Sequence, residues 1–112
     1  MDLIDEIQLK MRQLDQGRRD LRKNGIALAE KERAYKEAVS KKVLEMLDDG
    51  RPVTAIDKVI YGLPSISTLR FERDCAEVIY DANKEAINIT KLQLRILEEQ
   101  LKMEYGSTEN EL

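Results

Sequence analysis

The chain has 112 residues, 37% of them charged and 4% aromatic, with one Cys, two Pro, five Gly and no His or Trp. Nineteen basic against 22 acidic side chains leave a formal net charge of −3. The missing His removes the commonest general base and metal ligand, and a lone Cys builds neither an internal disulfide nor a zinc knuckle.

The length fits one small domain. Residues 3–48 contain no Pro, and apolar residues recur at helical spacing. One heptad row reads Ile7, Leu14, Leu21, Leu28, Tyr35. Its partner row reads Ile4, Met11, Arg18, Gly25, Glu32, Val39, Met46. Together they predict the seam of a long amphipathic helix, imperfect at Arg18, Gly25 and Glu32. Gly17 and Gly25 each cost about 1 kcal/mol against Ala inside a helix. Asn24-Gly25 is either a weak or close-packed spot in one helix, the favoured reading, or a joint between two.

Asp48-Asp49-Gly50-Arg51-Pro52 is a stop signal, with Gly and then Pro after an acidic end. Thr54 is placed to cap a short helix from Ala55 to Tyr61 that ends at Gly62. Leu63-Pro64-Ser65 makes a second break, with Ser65 as cap and Glu72 too far along to close a capping box. A second long helix is predicted from Ile66 to Tyr105. Its rows are Ile66, Arg73, Tyr80, Ile87, Leu94, Leu101 and Leu69, Ala76, Asn83, Thr90, Leu97. Cys75 reads as a small buried hydrophobe of this helix.

The expected fold is therefore all-α: an elongated antiparallel helical hairpin, a single domain over 1–105. It comprises a helix 3–48, a connector 49–65 and a helix 66–105. Gly106 ends the second helix, and 106–112 form a polar, frayed tail. Forty helical residues span roughly 60 Å. Two such helices share a thin core, so a dimer or higher oligomer is expected to cover the remaining apolar surface. No run of about 18 apolar residues exists to span a membrane. Met1–Glu6 lacks the basic and apolar regions of a signal peptide, so the cytoplasm is the expected location. The sequon Asn88-Ile89-Thr90 has no meaning without secretion.

Charge is unevenly spread. Residues 10–42 hold eleven basic and five acidic side chains, a local charge of +6, whereas residues 71–112 hold five basic and ten acidic, −5. Arg18, Arg19, Arg22 and Lys23 cluster in the first helix as a candidate phosphate-binding surface for nucleic acid or a nucleotide. The plainer and favoured reading is electrostatic pairing of the basic helix with the acidic one. Few aromatics interleave with the cations, which disfavours base stacking. Arg70 and Arg73 near the start of the second long helix only superficially suggest a helix-turn-helix.

Glu77, Asp81 and Glu85 share a helical face and could hold Mg²⁺, but Lys84 beside them and the absence of a matching acidic row favour a solvated face. The polar seam residues Arg18, Glu32, Arg73, Asn83 and Thr90 read as register determinants before they read as a ligand pocket. No phosphate loop, dinucleotide fingerprint or nucleophile–base arrangement is visible.

Gly25, Ala29, Glu32 and Tyr35 are followed by Pro52-Val53-Thr54, Gly62, Leu69-Arg70, Arg73-Asp74, Tyr80 and Glu85, then by Lys91, Leu94-Arg95, Gln100-Leu101 and Glu104-Tyr105. This pattern, over nearly the whole chain, resembles a group of small proteins from phages and prophages of Gram-positive bacteria. The group usually ends in an acidic residue plus Trp; here Tyr105 and a further tail stand instead. The resemblance implies a context without an established activity. In that context a small helical protein is expected to sequester or inhibit a host protein, such as an anti-phage defence component, or to assist phage replication or recombination.

The function expected is non-enzymatic binding, without cofactor or metal. A protein partner is favoured, with nucleic-acid binding and a nucleotide sponge as alternatives. The candidate contact residues are Arg18, Arg19, Arg22, Lys23, Arg51, Thr54, Arg70 and Arg73, with the connector Gly50–Ser65 and the Arg18–Lys23 cluster as the contact surfaces.

Overall fold

The computed structural model describes the backbone of residues 2–111 and the side chains of residues 2–106. Three α-helices follow in order: α1 Leu3–Asp48, α2 Val53–Val59 and α3 Pro64–Glu111. A 3₁₀ turn, Ile60–Gly62, sits between α2 and α3. The fold is all-helical, two long helices joined by a short one. None of these helices is long and apolar enough to cross a membrane among the described residues.

Local chemistry explains the boundaries. Asp2 caps α1: its Oδ1 accepts a hydrogen bond from the Asp5 N–H at 2.8 Å. Gly50, at φ 82°, ends it. The Gly50 N–H donates to the Leu47 carbonyl at 2.9 Å and the Arg51 N–H to the Met46 carbonyl at 3.1 Å, a Schellman motif. Prolines then start both later helices. Pro52 is the N-cap of α2, without a side-chain cap bond, so Thr54 lies inside the first turn instead of capping it. Pro64 opens α3, and the Ile66 and Ser67 N–H groups bond to the Leu63 carbonyl at 3.0 and 2.8 Å. Ser65 is thus also inside the first turn of its helix. At Pro64 a ring with fixed φ and no N–H to satisfy suits the first helical position. At the other end, α3 passes through Gly106, where the sequence placed its stop.

The chain divides into two compact units, each drawing on both long helices. The terminal unit comprises Met1–Arg22 and Asp81–Leu112; the connector unit is Lys23–Tyr80. In the connector unit, Gly25 meets Tyr80, Lys31 meets Glu72 and Tyr35 lies under Arg73, so α1 and α3 run antiparallel there. Its core is Tyr35, Met46, Ile56, Ile60 and Ile66, with Val39, Val43, Leu63 and Leu69 packed against it. Ile56, Ile60 and Ile66 are 1–2% exposed. The two long helices and the connector converge on that core because α2 and the 3₁₀ turn aim one isoleucine each at the α1–α3 seam.

In the terminal unit Gly17 meets Ile87, while Leu3 and Ile4 share a surface hollow with Leu101, Glu104 and Tyr105, so the helices are again antiparallel. Leu14 and Ile87 are its buried side chains, at 9% and 7% exposure.

The α3 rows are as the heptads predict: Ile66, Ile87, Leu94 and Leu101 are buried or half-buried, as are Ala76, Asn83, Thr90 and Leu97. On α1 the second row differs. In the terminal unit it is Leu3, Lys10 and Gly17 that are half-buried; Ile4, Met11 and Arg18 are exposed. The predicted row resumes in the connector unit with Gly25, Glu32, Val39 and Met46. Two four-residue steps in succession, Gly17 to Leu21 to Gly25, make this a stutter in the heptad repeat. Glycine fixes both places. An added Cβ at Gly17 would lie 3.1 Å from Ile87 Cγ1, and one at Gly25 would lie 3.3 Å from Tyr80 Cε2. α1 is therefore continuous through Asn24-Gly25, which is a close-packing point. Cys75, expected inside, is exposed, because it lies on the side of α3 away from the Arg73, Ala76 and Tyr80 positions of the seam.

Candidate functional site

The candidate contact residues separate into two groups by what they touch. In the terminal unit, Arg18, Arg19 and Arg22 project from α1 and are exposed. Arg18 stands 4.0 Å from Asp15, and Arg19 Nη2 donates to Gln16 Oε1 at 2.9 Å. Arg12 and Arg19 line a shallow hollow with Gln13, Asp15 and Gln16. Pairs between exposed groups on one helix are weak, so these cations keep most of their hydration and charge. Lys23, the first residue of the connector unit, is exposed as well.

The favoured account of the basic helix, pairing with the acidic one, is realised at Lys31–Glu72, 3.5 Å apart and joining α1 to α3. Elsewhere the cations of α1 find acids of their own helix: Arg33–Glu37, Lys36–Glu32 and Lys42–Glu45, at 3.5–4.0 Å. Neighbours three and four residues apart face each other on a helix and need no partner element.

In the connector unit, the arginines are used differently. Arg73 lies with its guanidinium 4.8 Å from the ring centre of buried Tyr35. Its Nε and Nη2 both donate to Asp74 Oδ1, at 3.1 and 2.8 Å. That hydrogen bonding, with the nearby negative charge of Asp74, raises the Arg73 pKa further above its ordinary value. Its side chain is 22% exposed. Arg73 is thus a cation that stacks on the core of its unit. Arg70, one turn earlier and exposed, lies over Tyr61 at 5.9 Å. Tyr61 belongs to the 3₁₀ turn, so this contact ties the connector to α3. Arg51 and Thr54 are exposed at the start of the connector.

The sequence reading missed the two tyrosines. Tyr35 appeared only as a seam residue and Tyr61 only as a helix end. Neither signals a cation partner until α1, the connector and α3 are brought together.

Around these contacts the connector carries both buried and exposed apolar side chains. Ile56 and Ile60 point into the core, whereas Val53, Val59 and Tyr61 are 61%, 43% and 50% exposed. Leu44 and Leu47 of α1 are exposed in the same unit. Arg51 and Lys58 are exposed cations of the same stretch of chain, and exposed Arg70 lies over Tyr61.

The remaining polar seam residues have structural partners. Asn83 Nδ2 donates to the Gly17 carbonyl at 3.2 Å, and the Thr90 hydroxyl to the Ala86 carbonyl at 2.9 Å. Glu32 pairs with Lys36. Asp81 lies 3.3 Å from Lys84, and among the described residues no group of three His, Cys, Asp or Glu side chains is placed to hold a metal ion. Compared with protein-family models, curated proteins and solved structures, the chain matches none of them.

Proposed function

We propose that the chain is a non-enzymatic binding protein whose connector occupies a protein partner. The observation that carries this reading is the exposure of Val53, Val59 and Tyr61 on a connector whose Ile56 and Ile60 are among the best-buried side chains described. A short helix anchored by Ile56 and Ile60 presents those side chains with little conformational freedom left to lose on binding. Tyr and Arg are the residue types that dominate interface energetics, and Tyr61 is held under Arg70. The partner that fits is a protein surface with an apolar pocket edged by carboxylates, facing Arg51, Lys58 and Arg70. In the phage context that the sequence resemblance implies, the partner is a host protein, such as an anti-phage defence component, inhibited by sequestration.

The test is affinity capture from host cells with wild type and two variants. Tyr61→Ala combined with Arg51→Glu removes the connector surface; Arg19→Glu combined with Arg22→Glu removes the basic surface of α1. The expected result is loss of the captured protein by the first variant only, with helical circular dichroism unchanged in both. Loss by the second variant only, together with a gel shift of nucleic acid that weakens steeply with salt, replaces this reading by nucleic-acid binding. A thermal shift with nucleotides that Arg19→Glu/Arg22→Glu removes supports the nucleotide sponge.

A further inference from the structure

In the terminal unit the two flanks of the α1–α3 seam carry different chemistry. On one flank Ile4 shares a hollow with Tyr105; on the other, Glu6 and Leu9 share one with Gln93, Ile96 and Gln100. Steps of seven residues keep to one side of a helix pair, so these contacts assign the side chains between them. Ile4 leads to Met11 and Arg18 on α1, and Tyr105 leads back to Glu98, Lys91 and Lys84 on α3. The next positions outward, four residues on from Arg18 and Lys91, are Arg22 and Arg95. All of these side chains are exposed. The opposite flank continues through Gln13, Ala86, Ile89 and Met103, which are exposed and uncharged, while Glu6, Lys10 and Asp20 there are half-buried.

Five cations therefore gather on the first flank: Arg18 and Arg22 from α1, and Lys84, Lys91 and Arg95 from α3. Gly17 lies against Ile87, which sets Arg18 at the height of α3 between Lys84 and Lys91. Over the same stretch the acids of this flank are Asp15 and Asp81, at 4.0 Å from Arg18 and 3.3 Å from Lys84. Among the described residues Arg22, Lys91 and Arg95 enter no ion pair. In the connector unit, by contrast, Arg33, Lys36 and Lys42 each find an acid three or four residues away. Like charges drawn together destabilise a fold. Such a conflict is kept where a ligand of opposite charge relieves it.

We infer that this flank of the terminal unit binds the phosphate backbone of double-stranded nucleic acid. Lys84 and Arg95 are eleven residues apart on α3, about 16 Å, a length that covers about five base pairs. Exposed cations on a rigid helix pair match a run of phosphates and read no base, so the binding is independent of sequence. A single strand is held by aromatic stacking, and the aromatic of this flank, Tyr105, lies ten residues beyond Arg95. A protein partner fits poorly, because interface cores are depleted of Lys and the exposed Ile89, Ile96 and Met103 lie on the other flank. A lipid surface would press Glu85 and Glu99, which share the outer face of α3 with Leu92, against anionic headgroups. The site uses neither the connector nor its proposed partner, and either can fail alone.

The test is fluorescence anisotropy of the full chain with a short labelled DNA duplex of arbitrary sequence. Wild type is expected to bind at low salt, with affinity falling as roughly the fourth power of salt concentration, as neutralising four or five phosphates requires. Lys91→Gln combined with Arg95→Gln should weaken binding about tenfold or more. Gln93→Glu combined with Gln100→Glu makes the same change of net charge on the other flank and should alter binding by less than about threefold. Helicity should be unchanged in both, because all four side chains are exposed. The connector variant Tyr61→Ala/Arg51→Glu should bind the duplex as wild type does. No binding at low salt with micromolar protein overturns the inference, and so do equal losses in the two flank variants, which would leave net charge as the cause. Tighter binding to the single strand than to the duplex also overturns it. So does binding to phosphatidylserine vesicles in place of the duplex.

Discussion

The connector unit and the terminal unit use the same two helices and bury them differently. Around Ile56, Ile60 and Ile66 a third element closes the seam, and exposure falls to 1–2%. In the terminal unit, among the described residues, α1 meets α3 alone, and the best-buried, Leu14 and Ile87, remain 9% and 7% exposed. Two cylinders touch along a line, and side chains on that line stay open at its flanks. Three elements enclose a volume. The lesson is that a long helical pair is stabilised chiefly where something crosses it, and that its two-helix stretch retains apolar surface for other uses.

The largest effect that sharpens this contrast is in the two cores. Ile56→Ala or Ile60→Ala is expected to cost about 3–4 kcal/mol, near the upper part of the range for buried isoleucine, and Leu14→Ala about half of that. Urea unfolding at fixed protein concentration measures both. Equal costs would break the contrast, since they would mean that two helices enclose Leu14 as fully as three elements enclose Ile60.

Gly50 is next. Its φ of 82° lies where L side chains clash, so Gly50→Ala should cost about 1–2 kcal/mol by the same measurement. An unchanged midpoint would show that the connector does not need this turn to close its core.

The two seam glycines test the packing on either side of the stutter. Ala gains about 1 kcal/mol of helix propensity at each site. At Gly17 the neighbour is Ile87 Cγ1, an atom held close to the α3 backbone, and the Asn83 bond to the Gly17 carbonyl would be strained too. Gly17→Ala should therefore be destabilising by about 1 kcal/mol net, with part of that from the bond. At Gly25 the neighbour is the edge of the Tyr80 ring, which can swing. Gly25→Ala should fall within about 0.5 kcal/mol of wild type. The reverse order would place the tighter helix approach in the connector unit.

The smallest effect is the ion pair between the helices. Lys31 and Glu72 are 48% and 42% exposed, so Lys31→Ala should cost about 0.2–0.5 kcal/mol and nothing measurable in 1 M salt. A larger, salt-resistant loss would mean that opposed helix charges matter more to the connector unit than its core does.

Of the candidate site, the sequence named the cations and missed their engagement. Arg70 and Arg73 stood out as basic residues near a helix start, in positions equally suited to contacting a ligand. The structure sets Arg73 on Tyr35 and Arg70 on Tyr61. Those tyrosines are 38 and 9 residues away in sequence, and no local pattern links them. The α1 cations Arg18, Arg19 and Arg22 were legible as exposed because a charge cluster on one helix has few other places to go. Arg18 stands near Asp15 of its own helix, while the pairing of the basic helix with the acidic one is found at Lys31–Glu72.

The helices themselves were written in short-range chemistry. Gly50 followed by Pro52, and then Pro64, mark the breaks because φ and the missing N–H act on the residue that carries them. The α3 seam was equally legible, since a 3–4 alternation maps onto one face of any helix. What tertiary structure alone decided was which α1 row faces α3. The row with Ile4 and Met11 is more apolar than Leu3, Lys10 and Gly17, so periodicity points to the row that the structure leaves exposed. The choice fell to Gly17, where a missing side chain lets the helices approach, and that preference exists only once Ile87 is opposite it. Close packing depends on the shapes of both surfaces, and one strand of sequence holds only one of them at a time.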